Sequence, residues 1–375
     1  MSTGSIALSA YARDIAATDV LDPQELHPVL LGLYGEVGGI MATAKKHLRE
    51  RDRYPGYVRA ALEEFGDTLW YLAAICRRRS IDFEGLFAEA SASGANTHIS
   101  VASDLPNGSC ATVIVPSTTE GLDARLFRLG RSAANLLVGG VDRQKLVEFT
   151  RDYLEALHAA QLVFADVVRS NLKKARGAFI EPDLSAMPDF DAKDFEPEEQ
   201  LPREFAIRVN QRPSGKTYLQ WKGVFIGDPL SDNIGDPDGY RFHDVFHFAN
   251  AAILHWSPVM RALMKHKRKS KPEFDETQDG GRAIVVEEGV TAWLFTQAKE
   301  LNFFEGQTRV SLGVLKTVGE FVQGFEVDKC PLKLWERSIL QGYEVFRQIK
   351  EAQGGWIIGD RARRTLSYEQ ASWKP

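Results

Sequence analysis

Apolar residues recur at helical spacing through most of the first half of the chain. Such stripes predict helices over residues 22–48 and about 58–79, and two further patterns predict helices around 121–138 and 142–176. Pro28 either kinks the first helix or marks its true start. The second pair of helices loosely repeats the first pair, which indicates a degenerate tandem repeat of one helical hairpin. The first half is therefore predicted to be a helical domain.

Two stretches interrupt this periodicity and suggest domain boundaries. Residues 92–118 are rich in Ser, Ala, Thr and Gly, and we interpret them as an irregular insertion. Residues 181–203 combine prolines with many acids and show little periodicity, which is typical of a linker. The predicted organisation is a helical domain over 1–180, an acidic linker over 181–203 and a C-terminal domain over 204–375.

The C-terminal part has a different pattern. "EFAIRVNQRPSGKTYLQWKGVFIGD" predicts two strands joined by a Pro-Ser-Gly turn, and "GGWIIGDRARRTLSY" near the end predicts a return to the strands. Helical patterns lie between them, near 240–255, 283–300, 311–323 and 331–352. The fold class expected for the whole chain is mainly α, with an α+β, mostly helical C-terminal domain.

Composition and charge argue against several classes of protein. A net charge of -5 argues against a protein that coats nucleic acid, so nucleic acid is not an expected partner. The three cysteines are far apart, which argues against a disulfide framework or zinc ribbon and favours a reducing compartment. The N-terminus lacks a secretion signal, and no apolar run reaches the roughly 18 residues of a membrane span. We expect a soluble, cytoplasmic protein.

Acidic residues stand beside the core stripes of the first two helices. Glu64 and Asp67 are three apart, so their carboxylates project from one helix face, and Glu63 lies one turn from Asp67. Glu36 lies on the preceding helix. Carboxylates on paired helices are typical of a Mg²⁺ site, with Mn²⁺ as an alternative ion. The competing interpretation is an ordinary solvated helix face.

Three segments resemble the MazG-like all-α nucleoside triphosphate pyrophosphohydrolases. They are "GEVGGIMATAKKH", "LEEFGDTLWYLAAICRRRSID" and "SNLKKAR", and the likeness covers roughly residues 24–176. The resemblance implies a helical bundle that uses Mg²⁺ to hydrolyse a nucleoside triphosphate to monophosphate and pyrophosphate. It also implies that Glu36, Glu64 and Asp67 are catalytic metal ligands, and that Asn171 and Lys174 reach the nucleotide.

One position departs from the motif of this family. The second Glu of its Glu-x-x-Glu motif is Gly39 here, which leaves open whether Glu63 or another acid replaces the missing ligand. The alternative is a catalytically degenerate protein that binds a nucleotide for regulation. The resemblance implies a homodimer, whereas the internal repeat would allow a monomer.

A second candidate site lies in the C-terminal domain. His243 and His247 are four apart, the spacing of two-histidine metal sites, and Glu287 and Glu288 begin another apolar helix. This pattern predicts a second divalent metal and a metal-dependent hydrolase. Two alternatives stay open. Both histidines could have their hydrogen-bond partners within the core, or they could bind a phosphate or a base together with Arg241.

Two further stretches of the C-terminal domain complete the sequence pattern. "GFEVDKCPLKLWERSILQGYEVFRQI" resembles the C-terminal domain appended to some MazG-like proteins, over most of 203–370, and implies no particular activity. The basic run at 265–271 is interpreted as a solvated face or loop, with a phosphate contact to substrate or nucleic acid as the alternative.

Overall fold

The computed structural model describes residues 8–91, 97–102, 111–191 and 195–370. The chain forms two compact units, Met1–Ile180 and Glu181–Pro375, each built around a hydrophobic core of its own. The architecture is mainly α with a small sheet in the second unit, which confirms the fold class expected from the sequence. No described helix combines the length and the apolar character that a membrane crossing requires.

The first unit is a helical bundle. Its helices are α1 Leu8–Ala16, α2 His27–Glu50, α3 Tyr57–Arg78, α4 Phe83–Ser91, α5 Leu122–Leu137, α6 Arg143–Ala159 and α7 Phe164–Phe179. Pro28 stands in the first turn of α2, where a backbone N–H has no helical partner to lose, so it marks the true start of this helix. Helix α3 packs against both α2 and α7, and this contact brings distant polar residues together.

Two expectations for the first unit differ from the structure. The helix predicted over 142–176 is broken into α6 and α7, and Gln161 between them has a positive φ of 58°. Part of the supposed irregular insertion forms an antiparallel strand pair, β1 Thr97–Ala102 and β2 Ala111–Pro116. Residues 92–96 and 103–110 of that insertion lie outside the described residues.

The second unit contains a five-stranded antiparallel sheet in the order β5-β4-β3-β6-β7. The strands are β3 Glu204–Gln211, β4 Thr217–Trp221, β5 Val224–Leu230, β6 Gly354–Asp360 and β7 Thr365–Glu369. The segment predicted to hold two strands thus holds three. The return of the chain's end to the sheet is confirmed, since Ile207 of β3 pairs with Ile357 of β6. Alternate residues of β3 are buried, so one sheet face packs on the core.

The helices of this unit are α8 Asp244–Ala249, α9 Pro258–Met264, α10 Pro272–Thr277, α11 Gly281–Glu300, α12 Leu312–Phe321 and α13 Leu332–Ala352, with short 3₁₀ turns including Tyr240–Phe242. Of these, α8, α9 and α13 pack against the sheet. The helical pattern predicted near 240–255 is confirmed, although the type of helix changes along it. The chain passes from that 3₁₀ turn through α8 into a π-helical turn, Asn250–Leu254. Such turns are rare and are often found at functional sites.

Candidate metal and nucleotide sites

The predicted acids of the first unit meet where α2 packs on α3. The side chains of Glu36 and Glu64 are hydrogen-bonded to each other. Burial, followed by the negative charges of Asp67 and Glu64, raises the pKa of Glu36 to about 7. A hydrogen bond between two carboxyl groups requires a proton, and the raised pKa lets Glu36 carry it close to neutral pH. The two helices therefore concentrate negative charge in a half-buried position.

Gly39 determines where one of these carboxylates lies. A Cβ at position 39 would be 2.0 Å from Oε2 of Glu64, so the Glu64 carboxylate occupies the space beside the glycine. Glu63 does not fill that space, because its Oε1 lies 2.9 Å from Nζ of Lys174. The Glu64 carboxylate on α3 thus occupies the space beside α2 that a side chain at position 39 would fill.

Asp67 is held by polar residues of α7. Nζ of Lys174 forms ion pairs with both Asp67 and Glu63, and Nδ2 of Asn171 lies 3.4 Å from Oδ1 of Asp67. Burial opposes the charge of Lys174, but Asp67 and Glu63 outweigh it and raise its pKa. The buried hydroxyl of Tyr11 donates to Oδ1 of Asn171 at 2.7 Å, which fixes the amide. The ammonium is therefore charged and placed beside the acids.

Two residues that sequence reasoning missed, Tyr11 and Gly66, complete this region together with Tyr71. A Cβ at Gly66 would lie 3.0 Å from Cβ of Asn171, and the ring of Tyr71 covers the backbone of Gly32. Burial, together with the charges of Glu36 and Asp67, raises the pKa of Tyr71. Glycine at 66 allows α7 to approach α3 closely. Gly66 did give a signal in the sequence, as a glycine inside a helical pattern. The contact between Tyr11 and Asn171 joins residues 160 positions apart, so no local pattern indicates it.

The second candidate site joins the segment around α8 to α11. Nε2 of His247 lies 3.4 Å from Oε2 of Glu288, and Nε2 of His243 lies 3.7 Å from the same oxygen. His247 also approaches Glu287, with Nδ1 3.1 Å from Oε1. One ligand atom from each of His243, His247 and Glu288 lies within 4.8 Å of the other two.

The two neighbouring glutamates have different surroundings. Glu287 is fully buried and accepts hydrogen bonds from Nδ2 of Asn250 at 3.2 Å, Oγ of Ser257 at 3.1 Å and the backbone N–H of Val259 at 2.9 Å. The side chain of Glu288 is 40% exposed. The sequence left open which of the two would face the histidines. In the structure both do, but only Glu288 also reaches solvent.

Charges in this cluster shift one another's protonation. Burial disfavours the charged form of His247, but the two glutamates outweigh it and raise its pKa to about 10. Burial tends to raise the pKa of Glu288, yet the close approach of His247 and the charges of both histidines lower it. Burial raises the pKa of Asp244, which lies beside His243. His243 contacts a backbone carbonyl and His247 lies between two glutamates, so the structure does not decide between a metal site and histidines with partners in the core.

The basic run at 265–271 contains a residue that is not at the surface. Arg268 is fully buried, and its guanidinium bonds Asp279 at 2.7 Å and Glu326 at 2.6 Å. Arg261 nearby pairs with Asp191. Arg268 is therefore a structural residue, and the interpretation of this run as a solvated face is wrong at that position.

One comparison with known proteins gave a match. A family model described as the MazG C-terminal domain matches residues 185–372, half of the chain, and this range includes the histidine cluster. The helical unit lies outside the matched range. Comparisons with curated proteins and with solved structures each gave no match.

Proposed function

Because this chain belongs to the family defined by the MazG C-terminal domain, we propose that its helical unit hydrolyses a nucleoside triphosphate to the monophosphate and pyrophosphate with Mg²⁺. The family supports a nucleotide pyrophosphohydrolase-like function at the coarse level. The observation that carries the finer proposal is the Glu36–Glu64 carboxyl pair across α2 and α3, with the pKa of Glu36 raised to about 7.

The residues at this position fit Mg²⁺. The ion prefers carboxylate oxygens and is commonly held by one or two carboxylates, with water and substrate phosphates completing its octahedron. Glu36 and Glu64 would hold it. When bound, Mg²⁺ would bridge phosphate oxygens and offset the charge that develops during attack by water. Mn²⁺ accepts the same ligands.

Lys174 gives the chain its own means of binding phosphate. Its ammonium contacts Asp67 and Glu63, and a triphosphate would compete with these carboxylates for the same positive charge. Transfer of the ammonium to phosphate would release Asp67, which could then serve as the third acid. Asn171, held by Tyr11, stays beside Asp67 and is placed to contact the nucleotide.

A second candidate function is supported by the surroundings of Asp67 and Gly39. With Asp67 neutralised by Lys174 and no acid at position 39, the same cluster would bind a nucleotide without cleaving it. Such a protein would act as a nucleotide-dependent regulator. The two functions differ in whether product accumulates beyond one equivalent of protein.

The test is product analysis with the full-length protein, Mg²⁺ and a panel of ribo- and deoxyribonucleoside triphosphates. We expect monophosphate and pyrophosphate in equal amounts, and a loss of about 100-fold or more in rate for Glu64→Gln and for Asp67→Asn. Glu25→Gln makes the same chemical change at an exposed position and should keep full activity. Circular dichroism shows whether each variant is folded. Full activity in both site variants would refute the assignment, and binding without turnover would favour the regulator.

A further inference from the structure

We propose that His243, His247 and Glu288 form a binding site for a divalent transition metal ion in the second unit. The three side chains come from two separate segments: His243 and His247 from α8 and the residue before it, and Glu288 from the first half of α11. Their ligand atoms lie within 4.8 Å of one another, close enough for one ion to contact all three. This site is additional to the carboxylate cluster of the helical unit and does not depend on its function.

The hydrogen bonds of His243 orient it as a metal ligand. Its Nδ1 lies 2.8 Å from the carbonyl oxygen of Tyr240, and a carbonyl only accepts, so Nδ1 carries the hydrogen. The lone pair of a neutral ring is then on Nε2, the atom that faces Glu288. The Tyr240 ring stacks on the imidazole, with centroids 4.3 Å apart and planes within 5°, which fixes the plane of the ring. Metal-binding histidines generally have their second nitrogen fixed in this way.

His247 is the strongest single indication of a missing partner. Its side chain is fully buried, and neither ring nitrogen makes a hydrogen bond of good geometry within the described part of the chain. Carboxylate oxygens nevertheless lie 3.1 Å from Nδ1 and 3.4 Å from Nε2. Buried polar atoms are rarely left in this state, and an ion between Nε2 and Glu288 would satisfy that nitrogen.

Glu287 supports the site without being a ligand. Its Oε2 accepts from Ser257 and Val259, and its Oε1 accepts from Asn250, so its remaining capacity is directed at Nδ1 of His247. Asn250 is itself fixed, because Oγ of Ser338 donates to its Oδ1 at 2.9 Å. A carboxylate behind a histidine sets the tautomer and strengthens the ligating nitrogen. The π-helical turn that begins at Asn250 is therefore part of this support.

The donor set indicates the class of metal. Two imidazole nitrogens and one carboxylate suit Zn²⁺, Fe²⁺, Mn²⁺ and Ni²⁺, whereas Mg²⁺ and Ca²⁺ require more oxygen ligands. Three protein ligands leave coordination positions for water or substrate, as in catalytic rather than structural sites. The 40% exposure of the Glu288 side chain gives these positions access to solvent. Oδ1 of Asp244, 3.8 Å from Nε2 of His243, is a further nearby carboxylate oxygen.

The test measures metal affinity of the full-length protein after chelator treatment. Zn²⁺ is titrated by competition with a chromophoric chelator, and Co²⁺ by its visible absorption, both in excess Mg²⁺. We expect one site per chain in the wild type and at least about a tenfold loss of affinity in Glu288→Gln and His243→Ala. Glu300→Gln, an exposed position at the other end of α11, should leave the affinity unchanged.

Two results would overturn the proposal. One is equal Zn²⁺ and Co²⁺ affinity in the wild type, Glu288→Gln and His243→Ala, including the case in which none of them binds. The other is loss of this site in Glu64→Gln with retention in Glu288→Gln, which would place the metal at the carboxylates of the helical unit. Because Glu288 is partly exposed, its amide variant tests the site with little risk to folding, and thermal unfolding checks this.

Discussion

Replacing Glu36 with glutamine tests whether Glu36, Glu64 and Asp67 repel one another in the folded, metal-free protein. The change keeps the size of the side chain and its ability to hydrogen-bond Glu64, but it removes the ionisable group. Burial, Asp67 and Glu64 raise the pKa of Glu36 from 4.5 to about 7. The folded protein therefore binds this proton more tightly than the unfolded chain does. The resulting stability is fully present below about pH 4.5 and is lost as the pH rises through 7.

The size of the effect follows from that pKa interval. The step from 4.5 to about 7 corresponds to about 3 kcal/mol, at about 1.4 kcal/mol per pKa unit. Glu36 is only half-buried, so solvent screening reduces the expected value to roughly 1–2 kcal/mol. The free energy of unfolding of Glu36→Gln, relative to wild type, should therefore rise by roughly 1–2 kcal/mol between pH 5 and pH 8.5.

The assay is urea unfolding followed by circular dichroism, at both pH values and with a chelator present. Comparing the change with pH cancels any fixed cost of the substitution, and Glu25→Gln, an exposed position, should show no such change. Added Mg²⁺ should stabilise the wild type at pH 8.5 more than Glu36→Gln. A stability difference between Glu36→Gln and wild type that is equal at pH 5 and pH 8.5 would refute the reasoning.

Two further predictions concern packing and buried charge. Asp279→Ala leaves the fully buried Arg268 with one carboxylate fewer, and we expect a loss of about 3–5 kcal/mol in the free energy of unfolding, measured in urea. Loss of less than about 1 kcal/mol would mean that the pair is not desolvated. Gly38→Ala adds a methyl group in open space on α2 and should stabilise by about 0.5–1 kcal/mol, whereas Gly39→Ala must displace the Glu64 carboxylate. Equal stability and equal product formation in these two variants would show that Glu64 does not depend on Gly39.

Most helices could be predicted from the sequence because each buries one apolar stripe. Helices α2 and α3 begin and end within a few residues of the predicted bounds, apart from the N-terminus of α2, which Pro28 sets. The break between α6 and α7 could not be foreseen, because the apolar periodicity continues across Gln161 while the backbone there takes a positive φ. The π-helical turn after α8 likewise leaves no mark on the apolar pattern. Spacing reports which face is buried, but not every change of backbone geometry along it.

The candidate sites were predicted as far as they depend on neighbours along one helix. Spacing alone placed His243 near His247, and Glu64 near Asp67. It could not distinguish Glu287 from Glu288, because their roles depend on hydrogen bonds from Asn250, Ser257 and Val259.

The burial of Arg268 likewise depends on residues that are distant along the chain. Its partners Asp279 and Glu326 lie 11 and 58 positions away, so the sequence offered only a basic run. Charge composition indicates how many acids and bases a segment carries. Tertiary packing decides which of them are desolvated together, and that was not readable from the sequence.

The structure gives Gly39 a different role from the one that the sequence indicates. In the sequence it marks a lost carboxylate, whereas in the structure it makes room for the carboxylate of Glu64 to reach α2. An acid at position 39 would add a fourth negative group beside Glu36, whose pKa is already raised to about 7 by burial, Asp67 and Glu64. The metal-free protein would then be less stable still. Glycine at position 39 therefore reduces the repulsion among the carboxylates of the metal-free site, and it leaves the site with one ligand fewer. The pH dependence of the stability of Glu36→Gln measures the repulsion that Asp67 and Glu64 still exert on Glu36.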